Sequence, residues 1–149
     1  MAKNKKTNVM RLLEQADIAY KPHNLKDVIE DKSTITYKTL VTEGKTNENY
    51  VFLVPIDEEL DLKKAAKAVD EKSIEMIKEK ELRPLTGYVH GGCSPIGMKK
   101  ELPTIIDQSA FAKEAILFSA GKKGISVEVN PGELLTYLSA DIADVTKDS

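Results

Sequence analysis

Four glycines and a proline fall within residues 86–100, TGYVHGGCSPIGMKK, and this density sets the strongest local constraint on the chain. Such a span does not read as core. Glycine reaches positive φ, and without a Cβ it lets a ligand approach main-chain N–H groups. Ser94-Pro95 fixes the exit of the turn, because the residue before a proline is held extended. The segment therefore reads as a pocket wall.

The rest of the 149 residues must supply the scaffold, and a chain of this length buries about 70% of its unfolded surface. One domain over residues 1–149 is expected. No apolar run approaches the roughly 18 residues of a membrane span, so no membrane association is predicted. The basic start is interrupted by Arg11, Glu14, Gln15 and Asp17 where the apolar region of a signal peptide would lie, and a cytoplasmic location is expected. Cys93 is the single cysteine, which rules out an internal disulfide and a Cys-based zinc site, so no metal or cofactor is predicted. A net charge of −2 leaves no long-range field to gather nucleic acid. Basic clusters at Lys3/Lys5/Lys6, Lys63/Lys64/Lys67, Lys99/Lys100 and Lys122/Lys123 could hold phosphates only where the fold brings them to one side.

Periodicity outlines the elements. Val9, Leu12, Leu13 and Ala16 recur at helical spacing, predicting an amphipathic helix over about 7–17. Residues 35–42 alternate as a strand, with Ile35, Tyr37, Thr39 and Val41 on one face and Lys38 on the other. Residues 50–56 form a near-continuous apolar run, and a hairpin through 44–49 joins the two strands. Asp61 can cap a helix with Leu62, Ala65, Ala66 and Val69 inward. A further helix is predicted over about 73–82, ending before Pro84. Strands follow over 103–106, 115–118 and 125–129, and Asn130-Pro131-Gly132-Glu133 opens a last helix with Leu134, Leu135 and Leu138 inward. Without a strict βαβ rhythm, an α+β fold with a closed or nearly closed mixed sheet and peripheral helices fits best.

Conventional catalytic constellations are mostly absent. Cys93 with His90 or His23 is a conceivable thiol–imidazole pair, but His90 is three residues away on a glycine turn and no third group orients it. A small buried thiol is the preferred reading. His23, after Pro22, reads as a strand-end or loop histidine. The chain has no HExxH, Walker or GxGxxG pattern, so the glycines do not license a nucleotide cofactor. Lys38 taken alone reads as a solvated strand lysine.

Together, the segments YKTLV (37–41), LDLKKAAKAV (60–69), TGYVHGGCSPIGMKK (86–100) and SAGKKGISVEVNPGEL (119–134) resemble, in order and spacing, the YbaK/EbsC family of bacterial Cys-tRNA(Pro) deacylases. These are relatives of the editing insertion domain of prolyl-tRNA synthetases. The resemblance runs from Val9 to about Val145. It implies a β-barrel-like mixed sheet surrounded by helices, in a protein that removes cysteine wrongly esterified to proline tRNA. The family's functional lysine falls on Lys38, flanked by Tyr37 and Thr39 as substrate-binding positions. Its substrate-loop glycine falls on Gly91, with Gly92, Ser94, Pro95 and Gly97 completing the wall and Gly121 in a second glycine turn. The family pattern does not require a cysteine at Cys93. The chain departs from its relatives at residues 22–34, which are shorter, and Leu25 stands where an aromatic is common.

The resemblance also implies a chemistry without a protein nucleophile. A cysteinyl ester carries its own thiol, which can attack its own carbonyl and release a cyclic thiolactone and free tRNA. The protein then holds a near-attack conformation and stabilises charge. Gly91 and Gly92 N–H groups could hold the carbonyl or the terminal ribose, and Lys38 could anchor the terminal phosphate or polarise the ester. Anchoring is favoured, because an ammonium is a weak acid near neutral pH. The resemblance implies aminoacyl-tRNA as substrate and prolyl-tRNA synthetase as a transient partner. Hydrolytic editing of Ala-tRNA(Pro) or Ser-tRNA, and a noncatalytic tRNA- or synthetase-binding module, are the alternatives.

Overall fold

The computed structural model describes residues 6–24 and 34–147. Leu25 and most of the departing 22–34 segment lie outside the described residues, as do Lys3 and Lys5. The elements are helix α1 (Asn8–Gln15), strands β1 (Tyr20–Asn24), β2 (Thr34–Gly44) and β3 (Asn49–Pro55), helix α2 (Leu62–Ala68), strand β4 (Ile74–Met76), helix α3 (Glu79–Thr86), strands β5 (Thr104–Asp107), β6 (Ala115–Lys122) and β7 (Ile125–Val129), helix α4 (Pro131–Leu138) and strand β8 (Asp141–Ala143). Among them no helix is long and apolar enough to cross a membrane.

Local chemistry starts three of the four described α-helices where the sequence predicts. Thr7 caps α1 by accepting from Met10 N–H, Asp61 caps α2 by accepting from Lys63 and Lys64 N–H, and Asn130 caps α4 ahead of Pro131. The region 73–82 differs from expectation. Ile74–Met76 is a short strand, and the helix that follows runs over Glu79–Thr86 with Pro84 inside it. Ile74 pairs opposite Gly44 and is 3% exposed, so burial against β2 outweighs helical continuation. Glu81 Oε1 accepts the Lys78 N–H at 3.0 Å, which starts the helix late. Pro84 forfeits one main-chain bond in an eight-residue helix, while its ring stays exposed. Leu62 is also exposed at 41%, so α2 buries chiefly Ala65 and Ala66.

The fold is α+β and the sheet is mixed, with order β1-β7-β6-β2-β3-β5-β8 and β4 paired to β2. Among the described residues this path ends at β1 and β8 without closing. Pro22 sits in β1, an end strand, where its missing N–H is tolerated. β2 is parallel to β6, β3 to β5 and β5 to β8, and the other pairings are antiparallel. One core cluster joins Val9, Leu13, Tyr37, Leu53, Ile106 and Phe118 under α1 and α4. A second joins Phe52, Val54, Ala65, Ile74 and Ile105 under α2.

Strand β2 sets up the site. It pairs with β3 over residues 37–43, but its other edge is shared: β6 takes residues 34–36 and β4 takes 42–44. β6 then bulges between Ser119 and Lys122 and follows β7 instead. A split therefore opens along β2 between β6 and β4.

Candidate functional site

A cavity of about 560 Å³ fills this split. It is lined by the consecutive residues Thr36–Val41, by Met76–Glu79 and Leu82 from β4 and α3, by His90, Gly91 and Cys93, and by Ser119, Lys122, Ile125 and Ser126 across the gap. Unbroken lining along a strand means that its edge, rather than one face, borders the space. Hydrogen-bond parity fixes what that edge presents. Ile56 N–H donates to Thr36 O on the β3 side, and Ile77 N–H donates to Val41 O on the opposite side. Odd-numbered residues of this stretch therefore turn their main-chain polar groups away from β3. At Thr39 no strand pairs on that side among the described residues, so its N–H and C=O face the cavity. The Thr39 hydroxyl is buried and also lacks a partner there. Leaving such a buried group unmet costs roughly 1–3 kcal/mol; the main-chain groups, which face the cavity, are the ones a ligand would meet.

The cavity is cationic although the chain is net negative. Lys38, Lys78 and Lys122 line it against one carboxylate, Glu79. The Lys38 ammonium has no hydrogen bond or ion pair among the described residues. Of the basic clusters noted in the sequence, Lys122/Lys123 reaches the cavity, and Lys123 lies against Gly91. Lys64 instead pairs with Asp144 at 3.1 Å.

Four of the anticipated residues, Tyr37, Lys38, Thr39 and Gly91, border this one space. The Tyr37 ring is spent on the core: its side chain is buried, and its hydroxyl shares a 2.7 Å hydrogen bond with Ser109 Oγ. Burial, partly offset by the Ser109 bond, raises its pKa. Gly91, at φ +88°, is exposed at the cavity wall. Gly92, Ser94, Pro95, Gly97 and Gly121 do not line the cavity. A Cβ on Gly92 would stand 3.3 Å from Lys123 N, so this glycine lets the two glycine turns touch backbone to backbone. Ser94 is buried, with its Oγ accepting from Ile96 N–H. Pro95 and Gly97 border a second cavity of about 600 Å³ on the far side of the segment. Gly97 and Gly121 both pack against Tyr88, whose hydroxyl donates to Ile96 O at 2.5 Å. These residues build the wall from behind.

Lys78, Ser119, Ser126 and Ile56 also line the cavity and escaped the sequence reading. Ser119 and Ser126 belong to the 119–134 block without being singled out in it, whereas Lys78 and Ile56 have no local motif to mark them. His23 lies in β1, where Nε2 is 2.8 Å from Glu128 Oε1, and it does not line the cavity.

Cys93 and His90 both line the cavity, but His90 is exposed whereas Cys93 is buried. Burial pushes the Cys93 thiol up from its ordinary 9.0 to about 11, with the Thr86 hydroxyl offsetting part of this. The thiol is therefore neutral at physiological pH, unlike an activated nucleophile. In sign terms, it is protonated in both folded and unfolded chains below pH 9, so its contribution to stability is complete there and is lost as pH rises toward about 11. Alkylation of native Cys93 by iodoacetamide at neutral pH is expected to run about a hundred-fold slower than that of a free thiol, given two decades less thiolate. The rate should climb only toward pH 11. Fast alkylation with a midpoint below 9 would contradict this environment.

The sequence pattern of the aminoacyl-tRNA editing domain matches residues 19–137, most of the chain and all of the cavity lining. The chain belongs to the aminoacyl-tRNA editing domain family. A protein of Enterococcus faecalis with the provisional name Cys-tRNA(Pro)/Cys-tRNA(Cys) deacylase EbsC is 40% identical, over 98% of each chain. Among solved structures, one described provisionally as a trans-editing enzyme for prolyl-tRNA synthetase aligns with a TM-score of 0.78 and 25% identity, covering 94% of this chain and 95% of the other. The hypothetical protein APE2540 shares the fold, with a TM-score of 0.84 at 17% identity over 93% of this chain and 99% of the other.

Proposed function

We propose that this protein is a trans-editing deacylase that removes cysteine from mischarged Cys-tRNA(Pro), and from Cys-tRNA(Cys), by using the substrate's own thiol. One observation carries this reading: the editing cavity offers an ammonium at Lys38 without a partner among the described residues and main-chain polar groups at Thr39 that face the space, while its sole protein thiol, Cys93, is kept neutral by burial. Such a site binds and orients. The resemblance to EbsC supports cysteine as the aminoacyl group.

In this mechanism the thiolate sulfur of the cysteinyl ester attacks the ester carbonyl carbon. The carbon–oxygen bond to the terminal ribose breaks, and the departing oxygen takes a proton from water. The products are a four-membered cyclic thiolactone and a tRNA with a free terminal hydroxyl. Lys38 anchors the terminal phosphate, Thr39 orients the aminoacyl group through its edge, and Gly91 admits the ester close to the main chain. Effective molarity in place of a protein nucleophile supplies much of the acceleration. Alanyl and prolyl esters lack the thiol and are spared. Prolyl-tRNA synthetase acts as a transient partner that supplies tRNA identity, in the cytoplasm.

The test is deacylation of Cys-tRNA(Pro) beside Ala-tRNA(Pro) and Pro-tRNA(Pro) under reducing conditions. Loss of cysteine alone, with the thiolactone trapped as product, is the expected result. Loss of alanine would reassign the site to water-using hydrolysis, and no loss would leave a binding module. Cys93→Ser is expected to keep cysteine-releasing activity within about three-fold, since a buried neutral thiol does no covalent work. An inactive but folded Cys93→Ser variant would instead assign the attack to the protein.

A further inference from the structure

The cavity has an apolar border that the proposed reaction leaves unused. Ile56 is 58% exposed, the highest value among the exposed large apolar side chains, and it lines the cavity. Its N–H bonds Thr36 O, which places it opposite Thr36 on the β2–β3 ladder. Lys38 pairs with Val54, so Ile56 is one diagonal step from Lys38 on the same face of the sheet, about 7–8 Å away. A side chain so exposed beside a cationic pocket gains if a flat, uncharged group covers it.

Charge gives that border a direction. Beyond Ile56 the chain continues Asp57-Glu58-Glu59, and the charges of Asp57 and Glu58 reach as far as Tyr37. Across the cavity stand Lys78 and Lys122. Phosphates are favoured on the lysine side and repelled on the acidic side. The end of an RNA strand fits this gradient, because there a base follows the last phosphate and no further phosphate comes.

We propose that Ile56 is a substrate-binding residue that carries the 3′-terminal nucleobase of the aminoacyl-tRNA, with the last phosphate on Lys38 and the preceding backbone directed toward Lys78 and Lys122. This rests on the reading of the cavity as an aminoacyl-tRNA site. The aliphatic side chain holds the base by covering apolar surface, so the contact prefers a base over none while reading little of its hydrogen-bonding edge.

The experiment measures binding of an uncharged acceptor-stem microhelix by fluorescence anisotropy, with the 3′-terminal residue either adenosine or an abasic ribose. Wild-type protein is expected to prefer adenosine roughly five-fold, from the apolar area covered. Ile56→Ser should reduce that preference below two-fold, and Ile56→Leu should keep it. Leu62→Ser, an exposed apolar change on α2 away from the cavity, should also keep it. Lys38→Ala should weaken both RNAs alike. Equal binding of the two RNAs by wild type, or an undiminished preference in Ile56→Ser, overturns the assignment. So does a result in which Ile56→Ser weakens only association with prolyl-tRNA synthetase, since Ile56 would then contact a protein. Binding is read separately from turnover. An Ile56-dependent preference without cysteine release would retain the base contact and reject the reaction, whereas cysteine release without that preference would do the reverse.

Discussion

Lys38→Ala is expected to lower kcat/KM for release of cysteine from Cys-tRNA(Pro) by about a hundred-fold, close to 2.7 kcal/mol of lost transition-state stabilisation. The size follows from the side chain's position. Its ammonium has no protein partner among the described residues, so truncation breaks no internal pair and acts on the ligand alone. The fold should tolerate it. Lys38 is partly exposed at a strand edge, and thermal unfolding should shift by no more than a few degrees, as for most surface substitutions. Lys38→Arg retains the charge on a larger planar head and should recover part of the loss through KM. Single-turnover deacylation with a melting curve on the same sample checks both expectations. Wild-type rates in a folded Lys38→Ala variant would remove the lysine from the site.

Gly121→Ala is expected to destabilise the fold by about 3 kcal/mol through added backbone strain and overpacking. Gly121 has φ +95°, and a Cβ there would stand 3.0 Å from Tyr88 Cε1 and 3.3 Å from Val9 Cγ2. Tyr88 has little freedom to retreat, because its hydroxyl is tied to Ile96 O. For a domain of this size the change corresponds to a drop of about 10 °C in Tm. Gly124→Ala is the matched control. Its φ is +82°, but nothing lies within 4 Å of the added carbon, so strain alone should cost about 1–2 kcal/mol. Chemical denaturation of the two variants separates the contributions, and equal losses would rule out the Tyr88 contact as the cause.

Much of the local structure was legible because short-range chemistry governs it. Asp61 and Asn130 announced their helices by capping, helical periodicity announced α1, and the alternation over 35–42 announced β2. The failures occurred where a distant partner decides. Ile74–Met76 is a strand only because β2 offers it an edge, and Pro84 was read as a stop although the helix around it is held by Leu82 and Thr86 turned into the protein. The three-residue β8 and the proline-bearing β1 carry too little periodicity to be seen without β5 and β7 beside them.

The site divides along the same line. Lys38 and Gly91 were named from their motifs, and both line the cavity. Lys78 and Ile56 carry no such motif, Ser119 and Ser126 sit unmarked inside a recognised block, and all four join the site only through the tertiary fold. Residues 94–97 and Gly121 belonged to the same recognisable blocks, yet they support the wall from behind.

By itself, then, the sequence determined the starts of α1, α2 and α4, the alternation of β2, the glycine-rich wall and the want of a conventional catalytic constellation, since each depends on residues close in the chain. Only the tertiary structure decided that β6 releases β2 after residue 36 while β4 takes it up at residue 42. That handover depends on pairings between residues far apart in sequence. It leaves Thr39 facing open space and gathers Lys38, Lys78 and Lys122 around a cavity in a protein of net negative charge.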